Sequence, residues 1–211
     1  MTPAALLSRF RLEVRDEVAP YLWSDAEIYA YMDQAQKDFC RYTGGLADTY
    51  TVSLVASTAT YSVSPRITKI EYVSRTSDDV EVAIINIGDV ASGDYALNTD
   101  EGTVEAILTD VGADEIRCIP VPSASDTLSM IIKRMPLTDI DAGGDTLEIA
   151  EHHQPHLIPG MAYYAYRKQD AETFDRERSD QYHGTFLTYC DQAKRERERR
   201  EHKPRGVVFS W

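Results

Sequence analysis

The spacing of the apolar residues changes twice along the chain, and this change limits the possible folds more than any other feature. Apolar residues recur at helical spacing before residue 46 and after residue 150, whereas between residues 50 and 149 they alternate with polar residues. We therefore predict an α+β fold in which both chain ends, residues 1–46 and 150–203, form one helical bundle. Residues 47–149 are predicted to form an antiparallel β subdomain inserted into that bundle.

The two N-terminal helices have recognisable start signals. Pro3 follows the hydroxyl residue Thr2, as at the first position of a helix, and Ser24 and Glu27 have the spacing of a capping box. Trp23, just before this box, is predicted to pack against the second helix. The residues predicted to face the core are Leu6, Leu7, Phe10 and Val14 in the first helix and Ile28, Met32, Ala35 and Phe39 in the second.

The central region alternates in short runs that are separated by turn residues. The alternating runs are Tyr50/Val52/Leu54, Ala59/Tyr61/Val63, Val80/Val82/Ile84, Val104/Ala106/Leu108 and Leu128/Met130/Ile132. Clusters of glycine, serine and aspartate between these runs are typical of turns. Short strands with one wet face indicate a small sandwich or barrel rather than an extended parallel sheet.

Helical spacing returns after Glu151. One predicted helix carries Leu157 and Met161 on its apolar face, and a last helix runs from about residue 173 to residue 201. From residue 194 to residue 203 the helix has charged residues and no apolar face, so this end is predicted to extend beyond the core. The apolar face of the last helix comprises Tyr182, Phe186, Tyr189 and Ala193.

The charge is strongly negative and unevenly distributed. The chain has 35 acidic and 22 basic residues, which gives a formal net charge of −13. Residues 194–205 contain seven basic and three acidic residues, a net charge of +4, which leaves −17 for the rest of the chain. Because an acidic surface repels the phosphate backbone, we do not expect the main body to bind DNA in a sequence-specific way.

The sequence lacks the marks of an exported or membrane protein. No apolar run approaches the roughly 20 residues of a membrane-spanning helix, and the first residues do not resemble a signal peptide. The three cysteines, Cys40, Cys118 and Cys190, are odd in number and widely spaced, which argues against a disulfide framework or a zinc ribbon. We expect a protein that stays inside the cell and has no membrane partner.

The common catalytic and cofactor motifs are also missing. The sequence has no G-x-S-x-G turn, no phosphate loop and no dinucleotide fingerprint. Paired carboxylates such as Asp78 and Asp79 fall in predicted turns, where aspartate bonds to its own backbone. We therefore predict that the chain is not an enzyme, has no catalytic residue and binds no cofactor.

The strongest candidate for a metal site is the cluster of His152, His153 and His156. His152 and His156 would share one face of a helix and could bind zinc. However, Pro155 disfavours an unbroken helix at this point, and no metalloprotease motif accompanies the histidines. We expect a solvated helix start without a metal; a metal-dependent hydrolase built on these three histidines is the alternative that zinc binding would support.

The C-terminal end and several tyrosines are candidates for protein contacts. Residues 207–211 are apolar and aromatic, and such an end either binds a partner surface or frays. Tyrosine is enriched at interfaces because it combines apolar area with a polar tip. We predict that Tyr163 and Tyr166 lie at a subunit interface, whereas Tyr182 and Tyr189 lie in the core.

Two stretches of the helical part resemble a known family. The first stretch is Leu22-Trp23-Ser24-Asp25-Ala26-Glu27-Ile28, continued by Tyr31, Ala35 and Phe39. The second covers residues 163–168, the long charged helix and the end Lys203-Pro204-Arg205-Gly206. Together these stretches resemble the head-to-tail connector, or portal adaptor, proteins of tailed bacteriophages, and the resemblance covers half of the chain.

The resemblance implies a structural virion protein of the neck region that is assembled in the host cytoplasm. Copies of the protein would form a homo-oligomeric ring, commonly of twelve subunits, that joins the portal protein to tail or nozzle proteins. Packaged DNA would pass through the ring without sequence-specific binding. A C-terminal extension, residues 204–211, would dock into the portal. The residues that we assign to portal docking are Arg197, Arg199, Arg200, Lys203, Arg205, Val207, Phe209 and Trp211.

A second interpretation of the basic C-terminal helix stays open. The chain could be a non-enzymatic nucleic-acid-binding or assembly-chaperone module that uses this helix. Such a module predicts an affinity for free DNA that falls steeply with salt, because several phosphate contacts release counterions. A structural adaptor predicts little affinity for free DNA.

Overall fold

The chain forms two units in the computed structural model, which describes residues 1–93, 95, 97, 99–169 and 172–201. One unit combines Met1–Gly44 with Pro136–Trp211, and the other comprises Gly45–Met135. The described α-helices are α1 (Pro3–Val14), α2 (Asp25–Thr43), α3 (Ile87–Ala91), α4 (Leu157–Arg167) and α5 (Arg176–Glu201). With the sheets of the second unit, these helices make the fold α+β, as predicted.

Helix α1 begins at the predicted cap. The hydroxyl of Thr2 accepts a hydrogen bond from the backbone N–H of Ala5 at 3.3 Å. The helix closes at Arg15, whose backbone is left-handed with φ 60°. The predicted core residues are all buried: Leu6, Leu7, Phe10 and Val14.

Helix α2 contains the capping box that the sequence indicates. The Ser24 side chain accepts a hydrogen bond from Glu27 N, and the Glu27 carboxylate accepts one from Ser24 N at 2.9 Å. The helix ends at Gly44, whose φ of 86° is readily adopted by glycine. The predicted inner face is buried: Ile28, Met32, Ala35 and Phe39.

Arg11 holds the connection between α1 and α2. Its side chain is only 6% exposed, and its guanidinium donates to Asp16, to Asp25 and to the carbonyl of Trp23. The other carboxylate oxygen of Asp16 accepts a hydrogen bond from Leu22 N at 2.8 Å. Because a buried charge is tolerated only when it is paired and hydrogen-bonded, this network fixes the path of the connecting loop.

Residues 136–149 differ from the prediction, which placed them in the β subdomain. These described residues contain no strand and belong to the first unit, where they pack on α2. The backbone N–H of Ile140 donates to Asp33 at 3.2 Å, and that of Glu148 donates to the Gln36 side chain at 2.9 Å. Ile140, Leu147 and Ile149 are buried. Leu147 and Ile149 are two residues apart, as in a strand, but the segment is irregular and packs along α2.

A short 3₁₀ helix, Glu151–His156, leads directly into α4. Helix α4 packs against α1, α2 and α5 in this unit. Gly160 allows the close approach to α5, because a Cβ at this position would lie 3.0 Å from the ring of Phe186. The helices are therefore in contact along a face that leaves no room for a side chain at residue 160.

The apolar face of α5 is only partly buried. Phe186, Cys190 and Ala193 are buried, whereas Tyr182 and Tyr189 are half-buried. The four residues of the predicted apolar face were expected in the core, and the structure confirms this for Phe186 and Ala193.

The described residues of the second unit form three sheets. The described strands are β1 (Leu46–Leu54), β2 (Thr60–Ser62), β3 (Ile67–Arg75), β4 (Ala83–Ile85), β5 (Glu101–Gly102), β6 (Ala106–Gly112), β7 (Glu115–Ile119), β8 (Val121–Pro122) and β9 (Asp126–Arg134).

Strand β9 is the centre of an antiparallel sheet with the order β1-β9-β3, and a second sheet has the order β2-β7-β6-β4. The long pairs are antiparallel, as predicted. Strand β4, however, pairs with β6 in parallel, and β5 pairs with β8 in parallel.

The two larger sheets share one hydrophobic core, which makes the second unit a small sandwich. Buried side chains from both sheets meet in this core, among them Val52, Val73, Ile107, Ile116 and Met130. The other face of the four-stranded sheet is also covered, because a second cluster packs beneath the short helix α3. The middle of this sheet is therefore covered on both faces, whereas the sequence predicted one solvent-exposed face.

All three cysteines are buried, and none of them forms a disulfide. Burial raises the pKa of the Cys118 and Cys190 thiols to about 12. A thiol of this kind stays protonated near neutral pH and reacts slowly. None of the described helices combines the length and the apolar character that crossing a membrane requires.

Candidate functional site

The last eight residues of α5 extend beyond the hydrophobic core. Ala193 is the last buried apolar residue of this helix, yet the helix continues to Glu201. The eight residues 194–201 include five basic and three acidic residues, and they project the helix about 12 Å past the core at the usual rise per residue. We call this segment the basic extension; it was predicted from the charged run, and it presents cationic side chains to solvent.

Arg197 is the residue that ties the basic extension to the bundle. Its guanidinium donates a hydrogen bond to the carbonyl of Thr43 at 2.7 Å, at the C-terminal end of α2. It also lies against Gly44, where a Cβ would be 3.3 Å from the nearest guanidinium nitrogen. A cation at the C-terminus of a helix satisfies a carbonyl and complements the helix dipole. The position of Arg197 is therefore structural, which the portal-docking assignment did not anticipate.

Replacement of Arg197 by alanine should lower the free energy of unfolding of the helical unit by about 1 kcal/mol, because one charged hydrogen bond to a helix end is lost. Chemical denaturation followed by circular dichroism measures this change. Arg199→Ala is the matched control, since Arg199 is an exposed residue of the same helix and should leave the stability within about 0.5 kcal/mol. Equal effects of both substitutions would contradict the structural role of Arg197.

The remaining docking candidates fall into two groups. Arg199 and Arg200 are exposed, and Arg200 makes a hydrogen-bonded ion pair with Glu196 one turn earlier. Surface pairs of this kind contribute little to stability and are readily exchanged for a partner's carboxylate. The other candidates lie outside the described residues: Lys203, Arg205, Val207, Phe209 and Trp211.

The two tyrosines assigned to a subunit interface have different surroundings. Tyr163 is half-buried, stacks on His183 at 4.4 Å, and its hydroxyl accepts a hydrogen bond from Arg167. Tyr166 is only 6% exposed and packs edge-on against Trp23 at 5.4 Å. The structure thus places Tyr166 in the core of its own subunit, because it fills the space beside the buried indole. Tyr163 keeps exposed area for another chain.

The three candidate histidines lie beside α5 rather than on a separate solvated turn. The rings of His152 and His153 are 3.9 Å apart, and Nε2 of His152 lies 3.9 Å from a carboxylate oxygen of Glu196. His156 stacks on Tyr189 at 4.2 Å. Burial, together with the neighbouring His152, lowers the pKa of both His153 and His156. These two imidazoles are therefore mainly neutral at neutral pH.

Comparison with known proteins now identifies the kind of protein to which this arrangement belongs. A family model described as SU10 adaptor protein matches residues 1–208 of the chain. The chain belongs to the SU10 adaptor protein family. This family contains phage head-to-tail adaptors, which confirms the resemblance seen in the sequence. No curated protein matches the chain.

Membership of the family gives a general function. This SU10-family adaptor is a structural protein of a bacteriophage and a component of the virion. An adaptor of this kind interacts with other virion proteins, and the family is structural rather than enzymatic.

Sequence reasoning missed the polar contacts that hold α4 against α2 in the adaptor. Lys168 pairs with Glu27 at 2.8 Å and lowers the pKa of that carboxyl. The hydroxyl of Tyr164 donates to Asp38, and burial together with Asp38 raises the tyrosine pKa. Tyr164 and Asp38 are 126 residues apart in the chain. No local pattern links such residues, so only their positions on facing helices could have suggested the contacts.

Proposed function

We propose that this adaptor is a head-to-tail connector that joins the portal protein to tail or nozzle proteins in the virion neck. Copies of the chain form a homo-oligomeric ring, of twelve subunits in our proposal, that continues the DNA channel. The observation that carries the proposal is the family match over residues 1–208. The match includes both the helical unit and the inserted sandwich, so it is not limited to one of the two units.

The portal-docking surface in this proposal starts at the basic extension. Arg199 and Arg200 point away from the core and pair with acidic groups of the portal. Lys203 and Arg205 continue the positive charge, and the side chains of residues 207–211 fill pockets on the portal. Arg197 takes a supporting role, because its hydrogen bond to Thr43 fixes the direction in which the helix leaves its own subunit.

The subunit interface in the ring includes Tyr163. This side chain is half-buried and is held by the stack on His183 and by the hydrogen bond from Arg167. Because the phenol side chain of Tyr163 is already held in one orientation, it loses little conformational entropy when a neighbouring subunit covers it. Tyr166 is not part of this proposal, because its side chain is already buried in its own subunit.

The acidic body suits the wall of a DNA channel. Outside residues 194–205 the chain carries a net charge of −17. A wall with this charge repels the phosphate backbone, so that packaged DNA slides through the ring and does not bind it. Sequence-specific contacts with DNA have no place in this function.

Electron microscopy with mass determination, on the adaptor mixed with its portal protein, tests the proposal. We expect a ring of adaptor subunits stacked on the portal ring. The portal alone and the adaptor alone are the controls, since they show which features of the particle require both proteins. An adaptor that remains monomeric and ignores the portal would contradict the connector function.

The DNA affinity of the free adaptor distinguishes the alternative, a nucleic-acid-binding or assembly-chaperone module. The observation that favours this alternative is the exposed cationic surface of the basic extension. A titration of duplex DNA at two salt concentrations should show weak binding to the adaptor at both. Tight binding that weakens by orders of magnitude at the higher salt would favour the alternative.

A further inference from the structure

We propose that His152, His153 and Glu196 form a binding site for a divalent transition-metal ion such as zinc. The site lies where the 3₁₀ helix Glu151–His156 meets α5. The three residues each offer one ligand atom, and these atoms all lie within 4.8 Å of one another. The inference does not depend on the ring or on the portal, because it concerns contacts within a single subunit.

The ligand atoms are near enough to share an ion after a small adjustment. Metal–ligand bonds of 2.0 to 2.2 Å in a tetrahedral arrangement place the ligand atoms about 3.3–3.6 Å apart, whereas here they lie within 4.8 Å of one another. Nε2 of His152 is already within 3.9 Å of Glu196. The side chains of His152 and Glu196 are 53% and 46% exposed, so a small rotation of either brings them to the required separation without disturbing the core.

His153 is the fixed member of the site. Its ring lies 5.3 Å from that of the buried Phe39 and 3.9 Å from that of His152. These neighbours restrict the rotation of the imidazole, so little side-chain entropy is lost when it binds an ion. A rigid histidine beside two adjustable ligands can therefore accept a metal with only a local change.

The ligand types determine which metals fit. Two imidazole nitrogens and one carboxylate suit zinc, cobalt, nickel or copper, whereas magnesium and calcium prefer a shell of oxygen atoms. The exposed side of His152 leaves the fourth position open to water. His156 is not one of the three ligands, since its ring stacks on Tyr189 at 4.2 Å.

Arg200 competes with a metal for Glu196. Its guanidinium makes a hydrogen-bonded ion pair with the carboxylate oxygen that faces His152. An incoming ion must displace this guanidinium or use the second oxygen. Removal of the guanidinium should therefore strengthen metal binding, an effect that would not occur if zinc bound to unrelated surface groups.

A bound ion would complete the attachment of the basic extension. Glu196 and Arg197 are consecutive residues of α5: Arg197 contacts the end of α2, and Glu196 faces the 3₁₀ helix. The ion would add a second fixed point at the same turn of the helix. Zinc should therefore raise the midpoint of thermal unfolding, because it binds the folded chain only.

Calorimetric titration of zinc into the full chain, prepared without a histidine tag, tests the site. We expect one ion per chain, with an affinity that falls at least about tenfold for His152→Ala, His153→Ala and Glu196→Gln, since even outer-shell partners contribute that much. Arg200→Ala should bind zinc more tightly than the unaltered chain. His183→Ala and Arg199→Ala are the matched controls and should leave the affinity unchanged. Magnesium in place of zinc should give no heat of binding.

Two results would overturn the proposal. One is the absence of zinc binding in the unaltered chain, with no change of the thermal midpoint. The other is binding that all three ligand substitutions leave unaltered, which would place the ion elsewhere, including at His202 outside the described residues. Glu196→Gln changes a half-buried side chain and Arg200→Ala an exposed one, both outside the core, so the test stays decisive even if a histidine variant fails to fold.

Discussion

Replacement of Trp23 by alanine is expected to lower the free energy of unfolding by about 3–5 kcal/mol, the range typical of a large aromatic side chain in a packed core. Trp23 is fully buried. Its indole packs edge-on against Phe10 of α1 at 5.9 Å and against Tyr166 of α4 at 5.4 Å. One side chain just before the start of α2 thus connects α1 with α4, and the cavity left by alanine would lie between these helices.

The hydrogen bond of the indole accounts for a smaller part of this effect. Nε1 of Trp23 donates to the carbonyl of Ala165 at 3.2 Å. Trp23→Phe removes this bond but keeps an aromatic ring, so we expect a loss of about 1–2 kcal/mol from the bond and the reduced volume. The difference between the two substitutions measures how much of the stabilisation comes from packing.

Denaturation by urea, followed by circular dichroism at a helical wavelength, measures both changes. Leu12→Ala is the matched control, because Leu12 lies on the same helix as Phe10 but is 61% exposed, and its replacement should change the stability by no more than about 0.5 kcal/mol. If the two units unfold in separate transitions, only that of the helical unit should move. An unchanged midpoint for Trp23→Ala would show that the stability of the helical unit does not depend on this residue.

The helical part of the fold could be predicted because its signals are local. The cap at Thr2 and the capping box of Ser24 and Glu27 each lie within four residues of chain. Apolar spacing then identifies the buried face, since the same geometry repeats every turn. Both kinds of signal act before any tertiary contact forms, and the structure contains each of them at the predicted place.

The limits of the inserted subdomain could not be predicted in the same way. In segment 136–149, Leu147 and Ile149 are two residues apart, as in a strand, whereas Ile140 lies seven residues before Leu147. The backbone N–H groups of Ile140 and Glu148 donate to Asp33 and Gln36, more than 100 residues earlier in the chain. Whether such a segment joins a sheet or straps a helix depends on those distant partners, and the alternation pattern does not contain that information. The parallel pairing of β4 with β6 was missed for the same reason.

The candidate site shows the same division between local and distant information. The charged run from residue 194 predicts that α5 leaves the core, because a helix without an apolar face cannot be buried. The role of Arg197 depends on Thr43, 154 residues away. The sequence analysis named His152, His153 and His156 as the strongest candidate cluster and expected no metal there, whereas the structure brings Glu196, and not His156, together with His152 and His153. The sequence indicates which residues are candidates for a site, but it does not indicate which distant residues they contact.

Removal of residues 204–211 is expected to leave the fold intact and to abolish binding to the portal. The described contacts that hold α5, those of Ala193, Glu196 and Arg197, all precede the deletion. The deletion removes Phe209 and Trp211 from the chain. Buried aromatic anchors contribute about 2 kcal/mol or more each, so the loss of two of them weakens binding by about a thousandfold. Surface plasmon resonance on immobilised portal, with circular dichroism to check the fold, measures both expectations.

Two further variants separate the aromatic and the charged parts of the docking surface. Phe209→Ala combined with Trp211→Ala should reproduce most of the loss, mainly through faster dissociation, because interface anchors act on the dissociation rate. Arg199→Glu should instead slow association and reduce its dependence on salt. If the truncated chain binds the portal as well as the full chain, the docking surface is not the C-terminal end. If only the charge variant has an effect, the attachment is electrostatic, and the aromatic residues contact something other than the portal.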